Sequence, residues 1–208
     1  MMINRIITYL DSLYSNPICE LEFSKDYELL IAIVMSAQTT DKRVNMVNKV
    51  LFTKYDTLDK LASAPIEDIE EIIKPIGTYK KKSIFIRNIA RKLIEDGNSV
   101  VPNDREYLMT LPGVGRKTIN VFLSVIYGEA LIAVDTHVER VSKRLGLAKC
   151  DDSVLEVENK LMKKLPKDKW SRVHHQLVFF GRYKCKSMKP ECSDCKLCDI
   201  CKYYKKKH

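Results

Sequence analysis

The sequence predicts an all-α protein, and three features predict it. Apolar residues recur at the i, i+3, i+4 spacing of a helix face, strand-like alternation is essentially absent, and turn-forming residues fall at intervals that leave segments of ordinary helix length. In the first segment, Met1 to Leu13, the residues Asn4, Arg5, Thr8, Asp11 and Ser12 interrupt the apolar positions, which reads as an amphipathic helix and breaks any signal-peptide apolar run. Asn16-Pro17 closes it. Tyr27, Leu30, Ile31 and Val34 form the next stripe, and Ile86, Ile89, Ala90 and Leu93 form another beyond the break at Ala64-Pro65. Gly97-Asn98 and Val101-Pro102 end that region, and Gly128 and Leu165-Pro166 punctuate the C-terminal half. Ser153 and Glu156, three residues apart, make a capping box for a helix of that half. Trp170 reads as core, and Tyr183, Tyr203 and Tyr204 as packing residues. The Lys205-Lys206-Lys207 tail reads as a solvated end.

The most informative stretch is Leu111-Pro112-Gly113-Val114-Gly115-Arg116-Lys117-Thr118. Pro112 ends the helix before it, Gly113 and Gly115 permit positive φ and close backbone approach, and a new helix starts at Arg116. Ile119, Phe122, Leu123 and Ile126 then mark its buried face. The N–H groups of such a hairpin and first helical turn point out of a partially positive terminus, a seat for an anion such as a DNA phosphate. Gly113, Val114, Gly115, Arg116 and Thr118 are the candidate contacts. A lone G-x-G would more simply be a tight turn between packed helices; Arg-Lys-Thr directly after it favours phosphate.

With 208 residues, 45% apolar, and only 7 Gly and 7 Pro, the chain can bury one large core or two modest ones. Its net charge of +9 suits a polyanionic partner. No apolar run approaches membrane-spanning length, so no membrane association is expected. Of seven cysteines, Cys19 and Cys150 are isolated, whereas Cys185, Cys192, Cys195, Cys198 and Cys201 crowd into seventeen residues. That clustering favours a metal or cluster site over a spread disulfide framework. A four-cysteine zinc site and an iron–sulfur cluster both remain open on spacing alone. If Cys198 is the spare, the other four read C-x6-C-x2-C-x5-C.

Five groups of residues together resemble the endonuclease III family of helix-hairpin-helix DNA glycosylases, nearly end to end. They are Leu29-Leu30-Ile31-Ala32 with Ser36-Ala37-Gln38-Thr39-Thr40-Asp41; Leu111 to Thr118; Val134-Asp135-Thr136-His137; His174-His175 with Gly181-Arg182-Tyr183; and the four cysteines. The resemblance implies a six-helix barrel domain over about residues 19–129, with its helix-hairpin-helix at about 104–126. It implies a discontinuous second domain of residues 1–18 plus 130–208, a cluster loop at 185–201, and a cleft between the domains. It implies a 4Fe-4S cluster on Cys185, Cys192, Cys195 and Cys201; Cys198, inside the last interval, departs from the family pattern.

The resemblance also implies a chemistry. Lys117 matches the amine that attacks the anomeric carbon of deoxyribose to form a Schiff base, after which β-elimination of the 3′ phosphate cuts the strand. Asp135 matches the aspartate that takes a proton or steadies positive charge on the sugar; by itself it also reads as a helix N-cap before Thr136. A base must be flipped out of the duplex for this, and Gln38 matches the residue that fills the gap. Thr78 stands where the family commonly has a leucine wedge after Ile76-Gly77, a shorter and polar side chain. His137 and Lys186 are weaker candidates for phosphate contacts, with Lys184 and Lys189 beside them, and His174 and His175 read as structural. The expected activity is bifunctional: a glycosylase and abasic-site lyase for oxidised or ring-saturated pyrimidines in base-excision repair. The expected partner is double-stranded DNA with damaged pyrimidines or abasic sites, met by a monomer in the cytoplasm, nucleoid-associated, of a prokaryote. The alternatives are a monofunctional glycosylase, disfavoured because adenine-excising relatives usually lack the lysine, and a non-catalytic DNA-binding or redox module.

Overall fold

The computed structural model describes residues 2–207, and every regular element among them is helical. In chain order these are α1 (Met2–Leu13), α2 (Asp26–Met35), α3 (Asp41–Lys54), α4 (Leu58–Ser63), α5 (Ile66–Ile73) and α6 (Tyr79–Glu95). They continue with α7 (Arg105–Thr110), α8 (Arg116–Ile126), α9 (Thr136–Leu145), α10 (Val154–Lys164), α11 (Trp170–Phe179) and α12 (Lys202–Lys207). The chain forms two compact units: one is Glu20–Tyr127, and the other joins the N-terminal helix, through Cys19, to the chain from Gly128 onward.

In the unit Glu20–Tyr127, α2 is the central element. Apolar spacing predicts one buried stripe for it, yet every residue from Tyr27 to Met35 is buried. The reason is that α3, α6 and α8 all pack on it, leaving no face for water. Glu28 is tolerated there because its carboxylate accepts hydrogen bonds from the Ser24 and Lys25 N–H groups just before the helix, at 2.7 and 3.3 Å. The short helices α4 and α5 lie against α6, and α7 against α8. Their starts are fixed by side chains: Thr57 Oγ1 accepts from Lys60 N, and Asp104 accepts from the Glu106 and Tyr107 amides.

In the other unit, Ile6 and Leu10 of α1 join Val138 and Val141 of α9, Val157 and Leu161 of α10, Leu177 of α11 and Phe180 in one core. The capping box expected at Ser153 and Glu156 is present at the start of α10. Helix α9 ends on Gly146, φ 76°, whose left-handed conformation lets the Leu147 amide return to Ser142 O. Trp170 is partly buried rather than fully enclosed, and its indole N–H donates to Leu165 O at 3.0 Å. Tyr203 and Tyr204 pack partly against the core, whereas Tyr183 is half-exposed, its ring edge-on to Phe179. Past Phe179, α11 loosens into one π-helical turn, Phe180–Lys184, closed by the Cys185 N–H donating to Phe180 O at 2.6 Å.

His174 and His175 lie edge-to-face in α11, ring centroids 4.9 Å apart, and His175 Nδ1 meets Ser171 O at 2.8 Å. Burial holds the His175 imidazole below its ordinary value, outweighing the bond to Ser171. The folded protein thus binds fewer protons than the unfolded chain below about pH 6.5, and stability is full above that value and lost as pH falls through the depressed folded value. Urea midpoints measured between about pH 7.5 and about pH 5 should fall on acidification, and His175→Gln should reduce that fall.

Candidate active site

The hairpin is built by an obligatory glycine. After α7 ends, Gly113 adopts φ +77°, and a Cβ there would lie 2.5 Å from Phe85 Cδ2 of α6. Both the backbone conformation and the Phe85 ring oppose any other residue. Val114 is buried and donates its N–H to Leu111 O at 3.2 Å, so it anchors the turn. Gly115 differs from expectation: its backbone is extended, φ −125°, and a Cβ on it would meet nothing within 4 Å. The protein itself therefore does not demand glycine at 115. Gly115 is the N-cap of α8 and has no side chain to cap it, which leaves a partially positive helix end for a bound anion. Arg116 and Lys117, first and second residues of α8, are exposed, and Thr118 is half-buried. Ile119, Phe122 and Leu123 are buried on the opposite side, while Ile126 is only partly covered. The helix thus anchors its apolar face and presents the lysine at its N-terminus.

Two further candidates share one corner of the same unit. Gln38 has φ 57° and Thr78 has φ 56°, both left-handed in residues that seldom adopt that conformation. Their loops touch: a Cβ on Gly77 would sit 3.9 Å from Gln38 O. Both side chains belong to exposed residues, but Thr78 Oγ1 turns back to donate to Gly77 O at 2.7 Å. A short hydroxyl spent on its own backbone is a poor wedge, whereas Gln38 keeps its length.

In the unit that contains α9, Asp135 is the N-cap of that helix. Its Oδ1 accepts from the His137 and Val138 amides at 2.9 and 2.7 Å. Oδ2 takes no part in the cap, so capping and acid–base chemistry are compatible in one carboxylate. His137 Nδ1 lies 3.2 Å from Arg140, and burial holds its imidazole below the ordinary value, with Asp135 opposing.

Behind Asp135, α9 grips the cysteine loop through two arginines that motif reading missed. Arg140 donates to Gly181 O at 2.7 Å and Cys185 O at 3.2 Å; Arg144 donates to Lys186 O at 2.7 Å and Ser187 O at 2.9 Å and approaches Cys185 Sγ at 3.4 Å. Arg144 also lies over the Tyr203 ring, 4.1 Å from its centroid. Their i, i+4 spacing on one helix face was the available signal. Gly181 makes this approach possible, since a Cβ there would come within 2.8 Å of His137 Cβ.

Cys185, Cys192, Cys195, Cys198 and Cys201 all line one mainly apolar cavity with Leu145, Phe180 and Tyr204. Among the described residues no three metal-ligating side chains converge on a single ion. The thiols ring a space instead, and a thiol-lined, apolar cavity suits a cluster with several sulfur ligands. Cys198 Sγ donates to Cys192 O at 3.0 Å, as Cys201 Sγ does to Arg144 O at 3.4 Å, and burial pushes the Cys198 thiol up to about 11. Lys184 is buried and paired with Asp194 at 2.7 Å, and Lys186 pairs with Glu191 at 2.6 Å, so both cations are engaged within the loop.

Comparison with known proteins places this geometry. Residues 31–167 match the HhH-GPD superfamily of base excision DNA repair proteins. Endonuclease III of Bacillus subtilis (strain 168) is 51% identical over 184 residues, covering 88% of this chain and 84% of that protein. The chain belongs to the endonuclease III family. A solved endonuclease III–DNA complex of non-covalent type is 49% identical with a TM-score of 0.95, covering 99% of this chain and 96% of that one. A trapped endonuclease III–DNA covalent intermediate has the same identity and coverage and a TM-score of 0.94. No helix among the described residues is long and apolar enough to cross a membrane.

The two hairpin glycines of this endonuclease III relative should separate folding from binding. Gly113→Ala meets both a left-handed backbone and the Phe85 ring, and should cost at least about 2 kcal/mol in urea unfolding. Gly115→Ala should cost under about 1 kcal/mol, the difference between a glycine and an alanine N-cap. If a DNA backbone lies against Gly115, that mild variant should still weaken duplex binding in a fluorescence-anisotropy titration.

Proposed function

We propose that this chain removes oxidised or ring-saturated pyrimidines from double-stranded DNA and then cuts the resulting abasic site by β-elimination. Membership of the endonuclease III family supports the class of reaction. The observation in this chain that carries it is the exposed Lys117 amine at the uncapped N-terminus of α8, beyond a hairpin whose extended Gly115 is open to a close neighbour. A DNA phosphate seated on that helix end would bring the sugar to the amine.

The unprotonated Lys117 amine attacks C1′, the bond to the base breaks, and the base leaves with the electron pair and takes up a proton. Loss of a proton from the lysine nitrogen and opening of the sugar ring then give a Schiff base on Lys117. The acidified C2′ proton is removed and the 3′ phosphate leaves, which cuts the strand. Asp135, with Oδ1 committed to its own helix, offers Oδ2 to receive the amine's proton and to offset charge on the sugar. Gln38 fills the space the flipped base leaves, and His137 donates a hydrogen bond to a phosphate. Such DNA is met on the chromosome in the cytoplasm.

Cys185, Cys192, Cys195 and Cys201 would hold a 4Fe-4S cluster, with Cys198 retained as a thiol against Cys192 O. When bound, the cluster crosslinks a segment too short to build its own core. Arg140 and Arg144 already hold that loop by its carbonyls, so its positive residues are positioned from α9.

Purified protein incubated with duplex DNA carrying one thymine glycol, then reduced with borohydride, should give a covalent protein–DNA adduct. Lys117→Ala should bind the duplex and give none. An adduct undiminished in that variant would remove Lys117 from the reaction, and base release without strand cleavage in the unaltered protein would indicate a monofunctional glycosylase. Asp135→Asn keeps an N-cap acceptor and should change stability by only a few tenths of a kcal/mol, yet lower single-turnover cleavage about 100-fold or more. Asp135→Ala should in addition lose about 1 kcal/mol of stability with the cap.

A further inference from the structure

Lys82 is a chemically unusual group of the unit Glu20–Tyr127 that the reaction above does not use. It is 3% exposed, on the first turns of α6, and among the described residues it makes no ion pair. Its ammonium instead donates to Met35 O at 2.7 Å, to Ala37 O at 2.7 Å and to Thr39 Oγ1 at 3.3 Å. Met35 is the last residue of α2, and its carbonyl is one of those that a helix end leaves without a partner inside the helix. A cation there meets the negative end of the helix, and a buried one accepts its desolvation only where such acceptors surround it. Burial accordingly pulls the amine below its ordinary value.

The acceptors are arranged around Gln38. Ala37 and Thr39 are its two neighbours, and Gln38 itself is held at φ 57°. At the other end of the same residue, the Lys82 backbone N–H donates to Thr78 O at 3.1 Å, and Thr78 is the second left-handed residue. The ammonium therefore fastens the Gln38 loop, 43 to 47 residues away in sequence, to the first turns of α6 that follow Thr78. Left-handed non-glycine residues persist only where their surroundings over-determine them, and on the Gln38 side the ammonium and its three acceptors supply that restraint.

We infer that Lys82 is a positioning residue for base flipping, its buried ammonium fixing the left-handed Gln38 loop in the conformation that enters the gap in the duplex. This rests on the gap-filling role proposed for Gln38. It asks nothing of Lys82 in bond-making, since the amine is enclosed.

A double-mutant cycle tests it, read as single-turnover excision of thymine glycol from duplex DNA by the cluster-loaded protein. Lys82→Met, which keeps the length of the side chain but no donor, should lower the rate about 100-fold, the scale on which misplacing a positioned group acts. Introduced into Gln38→Ala, the same change should cost less than about 3-fold, because nothing is left to position. Imine trapping on a single-stranded abasic oligonucleotide, which has no gap to fill, should fall far less than duplex excision. Equal losses in the two backgrounds, or no loss in either, would overturn the inference and leave Lys82 as a stabilising group only. Full duplex activity of Gln38→Ala alone would instead show that the role given to Gln38 is wrong. Should Lys82→Met not fold, Lys82→Gln retains an amide donor, and the Thr39 amide, which donates to Ser36 O at 3.0 Å, reports on the loop by hydrogen exchange. Faster exchange of that amide with loss of duplex activity supports the inference; unchanged exchange opposes it.

Discussion

The rest of the structure around the proposed nucleophile depends on one steric constraint, the absence of a side chain at Gly113. With φ +77° and the Phe85 ring where a Cβ would project, the chain can turn within Pro112–Gly115 and leave as α8. That turn decides where the first residues of α8 stand. Burial of Ile119, Phe122 and Leu123, with α8 packed on the fully enclosed α2, then prevents the helix from rotating. Lys117 is presented at a helix N-terminus by packing alone, without any hydrogen bond having to hold it there. Gly115 has a different role, since nothing in the protein occupies the space its side chain would take. The fold requires a glycine at 113 and does not require one at 115.

The second unit solves a related problem with polar groups. Asp135 begins α9 and supplies its cap, so the proposed acid–base group is fixed by the same bonds that start the helix. Further along α9, Arg140 and Arg144 satisfy carbonyls of the cysteine loop that has little regular structure of its own. The π-turn after α11 delivers Cys185 to that loop, and Gly181 lets the two segments approach. A single helix thus joins the aspartate to the thiol-lined cavity.

Much of this was legible in the sequence, for reasons of range. The helix stripes, the capping box at Ser153, the turn at Gly113 and the crowded cysteines are local patterns, and local chemistry fixes them. The complete burial of α2 was not legible, because it depends on three other helices closing around it. Nor were the left-handed conformations of Gln38 and Thr78, which no glycine announces, or the enclosure of Lys82 among acceptors more than forty residues away. Gly115 was read as permitting a positive φ and close backbone approach; its backbone is extended, with open space where a side chain would project. The lysines of the cysteine loop looked available for phosphate, yet Lys184 and Lys186 are engaged by Asp194 and Glu191, pairings that sequence distance alone does not reveal.

In the proposed reaction the amine at the start of α8 becomes covalently attached to the sugar. The most direct measurement is peptide mapping by mass spectrometry of the borohydride-reduced adduct, after protease and nuclease digestion. A single modified peptide carrying the sugar remnant on Lys117 is expected. A remnant on any other amine would contradict that assignment.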